Sequence, residues 1–447
     1  MLTWIRETHR SLQLQARTRR LVAERLLRLT ESSPQAAPHS DADEADWAPL
    51  GRIGKSAPDS LDADALRQTA RSLARRHPYA ANFLRLLEIY VAGAEPRPTH
   101  EPPAGMPSDL ELAAACDRLW TRFLDRAAGH WSIREHARRA WRDGECFVRR
   151  FPGGRDVPEV RFIDPERIGP VDGHDSVDGL VPDGDDAETP RQYLHRTREG
   201  RLAERIDAAE LLHSRVCADS NELRGRSVLE PLVEPLRRFD AWLEIELQAR
   251  QLQASIVLWR KVAGNAGGFG SPGGEVAGPS GMRREAIGAG TIVTTGPSTE
   301  LSYLQPSTNF GDAVPLGRLL LLSAAAAAGV PEFMLTADAS NANFASTMVA
   351  EGPAVKLFQA HQRWLAGELT RVWRWVIGDA AAVGLLPPDA LARMQPRWVF
   401  PELVSRDRPA EREADVDLLE AGVLSRAEVA RRDGVDPEVM RREIEAA

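Results

Sequence analysis

Residues 224–264 read RGRSVLEPLVEPLRRFDAWLEIELQARQLQASIVLWRKVAG, and residues 319–361 read LLLLSAAAAAGVPEFMLTADASNANFASTMVAEGPAVKLFQAH. In the first stretch Leu236, Phe239, Leu243, Leu247 and Leu252 recur at helical spacing, with Arg237, Arg238, Glu244, Glu246 and Arg250 on the other side. Pro231 and Pro235 fall in the opening turns, so an uninterrupted helix is predicted from about Pro235 to Val262. At 1.5 Å per residue that is a rod of roughly 40 Å. A second helix is predicted over 309–328, where the alanines at 324–328 permit close packing and Gly329 with Pro331 ends it. Between the two lies GNAGGFGSPGGEVAGPSG, eight glycines in the 18 residues 264–281, and then two short strands over 286–306 joined at Gly296-Pro297. The glycines lack GxxxxGK[ST] or GxGxxG spacing, so the insert reads as a flexible loop and not a phosphate cradle.

Working outward, the chain of 447 residues is long enough for several cooperating domains, and its 43% apolar and 27% charged content is that of a globular protein. The net charge of −8 argues against a protein that coats nucleic acid through a basic face. Lys55, Lys261 and Lys356 are the only lysines; the other cations are arginine. Cys116, Cys146 and Cys217 form no CxxC and suggest neither a zinc site nor a disulfide framework. No stretch has the apolar length of a membrane span, and the start MLTWIRETHRSLQLQARTRR lacks the apolar core of a secretory signal. A soluble protein without membrane partners, kept inside the cell that makes it, is expected.

On the N-terminal side, residues 1 to about 60 read as an arm, its Ser32–Asp59 portion rich in Ser, Pro, Ala and Asp. Helices are predicted from Leu61, from Pro78 to a stop at Gly93, over Asp109–Ala127, and from Ser132, where Glu135 completes a capping-box pattern, to Gly144. Arg71, Arg75 and Arg76 read as a solvated helix face, and EPRPTHEPPAGMP as a proline-rich break. ECFVRRF and PEVRFIDPERI alternate like a pair of strands, and RQYLHRT with ERIDAAELLHSRV adds more strand sequence. Residues 171–188 hold seven carboxylates without a Lys or Arg and read as a solvated acidic loop, since the spacing fits no EF-hand. Toward the C-terminus a long helix is predicted from about Ala345 to Val376, with Leu357, Trp364, Leu365, Leu369, Trp373 and Val376 on one stripe. An acidic helical cap follows, its Ser425 and Glu428 forming a second capping box.

GxSxG, HExxH and phosphate-loop motifs are missing, and no catalytic, cofactor-binding or metal-ligating residue is singled out. Instead, five segments in order resemble the portal (head-tail connector) proteins of lambda-like phages. They are ARSLARRHPYAANFLRLLEIYVAG, HWSIREHARRAWRDGECFVRRF with VRFIDPERI, RGRSVLEPLVEPLRRFDAWLEIELQARQLQASIVLWR, AAAAAGVPEFMLTADASNANFAS, and LLEAGVLSRAEVARRDGV. The resemblance spans Leu61 to the C-terminus.

It implies an α+β, mostly helical fold: a wing over 61–227, stem helices over 228–262 and 309–328, a small β-containing clip over 263–308, a channel loop, long helix and wing remainder over 329–409, and a crown over 410–447. It also implies a structural protein and not an enzyme: a homo-oligomeric ring of twelve subunits at one capsid vertex of the virion, assembled in the host cytoplasm. Double-stranded DNA would pass through without sequence-specific contact. The terminase large subunit, a head-tail adaptor, and capsid and scaffold proteins would be its partners. Thr336, Asp338, Ser340, Asn341 and Asn343 fall in the implied channel loop, and Leu236, Phe239, Leu243 and Leu247 in the implied stem packing. A gene-transfer-agent or defective-prophage portal shares this reading; an unrecognised hydrolase built around Cys146 or the acidic loop is the alternative from another class.

Overall fold

The chain divides into two compact units, Met1–Leu50 and Gly51–Ala447. The computed structural model describes residues 60–93, 95–151, 156–183, 189–219, 222–254, 258–262, 275–277, 283–285, 299–303, 310–338, 340, 344–400, 403, 408–432, 435 and 437–446, all in the second unit. The expected N-terminal arm therefore lies outside the described residues but for Ser60, as does the glycine-rich insert but for 275–277.

Helices come first in chain order. Helix α1 (Ser60–Arg76) meets α2 (Pro78–Leu87) at His77, and Pro78 opens α2 where a missing amide does no harm. A π-helical turn, Glu88–Ala92, carries α2 to Gly93, whose φ of 52° ends it. Helix α3 (Leu110–Ala127) starts at Asp109, which accepts from the Leu112 amide at 3.0 Å. Helix α4 (Ile133–Asp143) starts at Ser132, whose hydroxyl accepts from the Glu135 amide at 3.1 Å, and ends at Gly144 in the left-handed region.

Two antiparallel three-stranded sheets follow. The first orders β3 (Glu159–Ile163), β2 (Glu145–Phe151) and β7 (Leu211–Arg215); Phe147 faces Ile163 on one side and His213 on the other. The second orders β4 (Leu180–Pro182), β5 (Pro190–Arg196) and β6 (Leu202–Asp207), so part of the predicted acidic loop is strand. Phe147, Ile168, Leu180, Tyr193, Ile206 and Leu211 form a small core where the two sheets meet.

A helix pair follows. Helix α5 spans Glu230–Ala254 and α6 spans Phe310–Ala328. The predicted helix to Val262 is too long: Leu258–Val262 is strand β8, paired antiparallel with β11 (Thr299–Tyr303), with Trp259 opposite Ser302. The run IVLWRKV suits either period, and a β-branched, aromatic stretch with an available partner strand takes the extended form. The helix also begins before Pro235, which it contains. Of the two strands expected over 286–306, β11 is described and the earlier one lies outside the described residues; a short hairpin, β9 (Glu275–Ala277) and β10 (Arg283–Glu285), precedes them.

Helix α7 (Glu332–Thr336) leads to α8 (Phe344–Ala382), a helix of 39 residues containing Pro353. Leu365, Leu369, Val372, Trp373 and Val376 of α8 join the main core with Trp120, Phe123, Trp131 and Trp141. After α9 (Ala390–Arg393), strand β12 (Gln395–Val399) pairs with β1 (Arg97–Glu101), inside the segment read as a proline-rich break. Pro98 costs little there because a two-stranded ribbon leaves each strand an open edge. The cap is α10 (Arg408–Glu420), α11 (Arg426–Arg432) and α12 (Pro437–Ala446). No helix among the described residues is long and apolar enough to cross a membrane.

Candidate functional site

The helix pair is anchored at one end and bare along much of its length. Leu232, Leu236 and Phe239 of α5 are buried, and Phe239 meets Tyr79 edge-on at 5.7 Å. Asp240 pairs with His77 at 3.2 Å, so the first turns of α5 sit against the α1–α2 corner. Further along, Trp242 packs on α6 at Gly317, where a Cβ would come within 2.3 Å of the ring; only glycine admits that approach. Beyond it the pair exposes Leu243, Ile245 and Leu247 (54% exposed) on α5, and Val314, Leu316, Leu319 (61%) and Leu322 on α6. The four leucine and phenylalanine positions expected in helix packing thus divide: Leu236 and Phe239 pack within the protomer, while Leu243 and Leu247 are exposed.

The segment implied as a channel loop is tied down where it begins. Asn82 donates to the carbonyls of Met334 (2.8 Å) and Leu335 (2.9 Å), Arg318 grips Glu332 at 3.0 and 3.1 Å, and Leu335 is fully buried. The Thr336 hydroxyl donates to the Glu332 carbonyl, Ala337 closes α7 at φ 58°, and Asp338 accepts from the Ser340 amide at 2.9 Å. The Ser340 hydroxyl, together with that amide bond, holds the exposed Asp338 carboxyl below its ordinary value. Asn341 and Asn343 lie outside the described residues.

What orients the helix pair is a buried ionic cluster that motif reading missed. Glu145 opens β2 with no exposed surface and accepts from Arg67 (2.8 Å), from Arg224 Nε (2.8 Å) and from His213 (3.0 Å). Arg224 spends its remaining donors on Glu145 and on the carbonyls of Ile168 (3.0 Å), Asp178 (2.8 Å) and Pro165 (3.2 Å). Burial alone would raise the Glu145 carboxyl, but Arg224 and the His213 hydrogen bond hold it well below the carboxylate range. Burial pushes the His213 imidazole down to about 4 despite Glu145. The neutral ring stacks on Phe147 at 4.2 Å. Beside this, Arg71 spans Asp143 (2.9 and 3.0 Å), Asp164 (3.0 Å) and Glu166 (3.0 Å), so its reading as part of a solvated face is corrected. The backbone closes the junction: a Cβ on Gly225 would stand 1.9 Å from the Gly144 carbonyl oxygen, and one on Gly144 2.5 Å from the Arg226 backbone. The signal was present as Gly144-Glu145 and Arg224-Gly225, glycines each beside a charge, but nothing in the chain shows that the pairs meet.

A second buried chain ties β7 to α8. Trp131 donates to His136 Nδ1 at 3.3 Å, which leaves the proton on Nε2 to donate to Ser214 (2.7 Å), and Ser214 donates to Glu368 (2.5 Å). Burial pushes His136 down to about 3. The serine stands between imidazole and carboxylate, so the carboxylate does not orient the imidazole as a base, and both Ser214 and His136 are shut from solvent. Cys146 is buried and its thiol is pushed far above its ordinary value by that burial, the reverse of an activated nucleophile. Among the described residues no cluster of three or more His, Cys, Asp or Glu side chains could hold a metal ion.

The sequence model of the family described as "Phage portal protein, lambda family" matches residues 41–362. Curated proteins yield no match. Among solved structures, the chain is similar to one titled "Neck of empty GTA particle computed with C6 symmetry", at 16% identity and a TM-score of 0.50 over 82% of this chain and 94% of that one. It is also similar to a chain of the "Virion of native gene transfer agent (GTA) particle" (17% identity, TM-score 0.49, 84% and 94% covered). A third is an HK97 family phage portal protein from Corynebacterium diphtheriae (14% identity, TM-score 0.35, 77% and 96% covered).

Proposed function

Since the chain belongs to the lambda family of phage portal proteins, we propose that copies of it close into a ring at one capsid vertex, the passage through which double-stranded DNA is packaged and ejected. The observation that carries this reading is the exposed apolar surface of the α5–α6 pair. Leu243 and Leu247, four apart on α5, and Leu319 and Leu322, three apart on α6, are large apolar side chains in the open on two helices that already pack on each other, a surface that needs a partner. In a cyclic ring each subunit's front meets the next one's back, and that contact would cover Leu243 and Leu247 of one copy and Leu319 and Leu322 of its neighbour. On this reading α5 and α6 are the stem, the β8–β11 region is the clip, residues 332–344 are the channel loop with Thr336, Asp338, Ser340, Asn341 and Asn343, and α10–α12 are the crown.

The charge supports passage of DNA without retention. A net charge of −8 gives the chain no overall excess of cations to hold phosphates in deep wells. Force would come from a separate terminase, and the clip would be where terminase and head-tail adaptor dock. The protein would act as structural scaffold and not as an enzyme, resident in the particle. Native mass measurement and negative-stain class averages of the purified protein test the proposal: rings of about a dozen copies are expected, and a stable monomer across the micromolar range would overturn it. A phage and a gene transfer agent would share this ring, and sequencing the DNA inside particles that carry it separates them.

A further inference from the structure

Resting on the ring reading above, we propose that the exposed face of α8 is the seat for helix α10 of a second copy, so that each subunit's acidic cap is clamped on its neighbour's long helix. The face of α8 away from the core carries Lys356, Ala360, Arg363, Gly367 and Arg374, all exposed and at helical spacing. Lys356, Arg363 and Arg374 have no ion pair among the described residues, which is unusual in a protein whose acids outnumber its bases by 65 to 57. Beside them runs a groove of about 520 Å³, lined by Gln362, Arg363, Gly367, Thr370, Trp398 and Phe400 among others. Trp398 donates to Thr370 at 2.9 Å and forms an aromatic wall with Phe400. At Gly367 no atom lies within 4 Å of where a Cβ would be, so a helix can approach closely.

Helix α10 is complementary. Glu413, Val416, Asp417 and Glu420 fall on one face at spacings of three and four residues, and all four are exposed, Val416 by 52%. The three acids have no ion pair among the described residues, whereas Asp415, on another face, is taken by Arg432 at 3.2 Å. Seven residues separate Lys356 from Arg363, and seven separate Glu413 from Glu420. At 1.5 Å per residue both charge pairs repeat at about 10 Å, so two helices laid side by side bring them into register, with Val416 aimed at the aromatic wall. The protomer's own cap is held elsewhere. Arg397 of β12 reaches Glu428 of α11 at 3.0 Å, and Arg397 and Trp398 alternate to opposite faces of the strand. The groove side of β12 is thereby left open to a neighbour.

Disulfide trapping tests this in the full-length protein. In a Cys217→Ser background, Gly367→Cys and Val416→Cys are combined in one chain, and mild oxidation is read on a non-reducing gel. Cys116 and Cys146 are buried and supply no background. A ladder of covalent multimers is expected, absent from either single variant. Rings that form but give no ladder, or only an internal disulfide in a monomer band, overturn the proposal while leaving the ring intact; no rings from the unmodified protein overturn the portal reading instead. Charge swapping is the second arm. Lys356→Glu with Arg363→Glu is expected to lower the ladder yield at least tenfold at low salt, and adding Glu413→Arg with Glu420→Arg is expected to restore it. If the swap does not rescue, and Lys356→Glu with Arg363→Glu instead abolishes retention of duplex DNA by the ring, the face is a phosphate contact and the proposal falls.

Discussion

The Glu145–Arg224 junction and the α5–α6 helix pair sit next to each other and satisfy opposite requirements. At the junction each charge is answered inside the same chain: Glu145 by Arg67, Arg224 and His213, and Asp143 by Arg71 and Arg142. Along the helix pair Leu232, Leu236 and Phe239 are buried, whereas Leu243, Leu247, Leu319 and Leu322 stay exposed. Buried charge left unpaired is intolerable in any state, so it must be settled within the protomer. Exposed leucine costs less per residue and can wait for assembly. On the ring proposed above, one region is finished by folding and the other by association.

Three measurements test that contrast, all read first on the stability of the unassembled protomer. The largest effect is expected for Glu145→Ala, which strands Arg224 as a buried cation without its carboxylate and leaves Arg67 with Asp64 alone; a loss of about 3–5 kcal/mol by denaturant unfolding is expected. A loss below about 1 kcal/mol would mean the cluster is not the clamp described. Acidification comes next. His213 and His361 are pushed down to about 4 and His136 to about 3 by burial, so between roughly pH 6.5 and 4 the unfolded chain takes up protons that the folded chain refuses. Stability should fall with falling pH across that window, by at most about 1.4 kcal/mol per pH unit for each histidine. Glu145, with its depressed carboxyl, adds to the loss only below the ordinary glutamate range. An unfolding midpoint that is flat from pH 6.5 to 4.5 would contradict the buried neutral state of all three rings. The smallest effect on the protomer belongs to Leu247→Asp, within about 0.5 kcal/mol of the parent because the side chain is already exposed. The same change should abolish rings in negative stain, since about 1.5–3 kcal/mol of burial is lost and a charge gained at every interface. Unchanged rings would remove Leu247 from the subunit contact.

The parts legible in the sequence were those with local signals. Ser132 and Ser425 cap the helices they were expected to cap, and Gly144 ends its helix at positive φ. The lambda-like portal resemblance is matched by the family comparison over 41–362, which takes in four of its five segments; the fifth, 418–435, lies beyond the match. Other features depended on residues far away along the chain. Strand β1 looked like a proline-rich break because its partner is β12; Thr99 bonds to the Arg397 carbonyl across 298 positions. Arg71 looked solvated because its partners Asp143 and Asp164 come 72 and 93 positions later. Strand β8 was absorbed into the preceding helix because a short apolar run has no period of its own, and the pairing with β11 decides it.

The contact of Gly144 with Gly225 has a consequence for how such a protein can vary. Elsewhere in a core a change of side chain can be absorbed by neighbours repacking around it. Here main chain meets main chain, and there is no side chain to trade. The direction in which the chain leaves the sheet toward α5 behaves as a constant, set by peptide geometry and insensitive to drift in the surrounding sequence. In the ring proposed above, that direction would help set the angle at which each subunit presents its helix pair to the next, and the closure of a circle is the sum of such inter-subunit angles. An error of a few degrees in each subunit would accumulate until the circle failed to meet itself, so two residues with no side chains at all are where tolerance to mutation should be lowest.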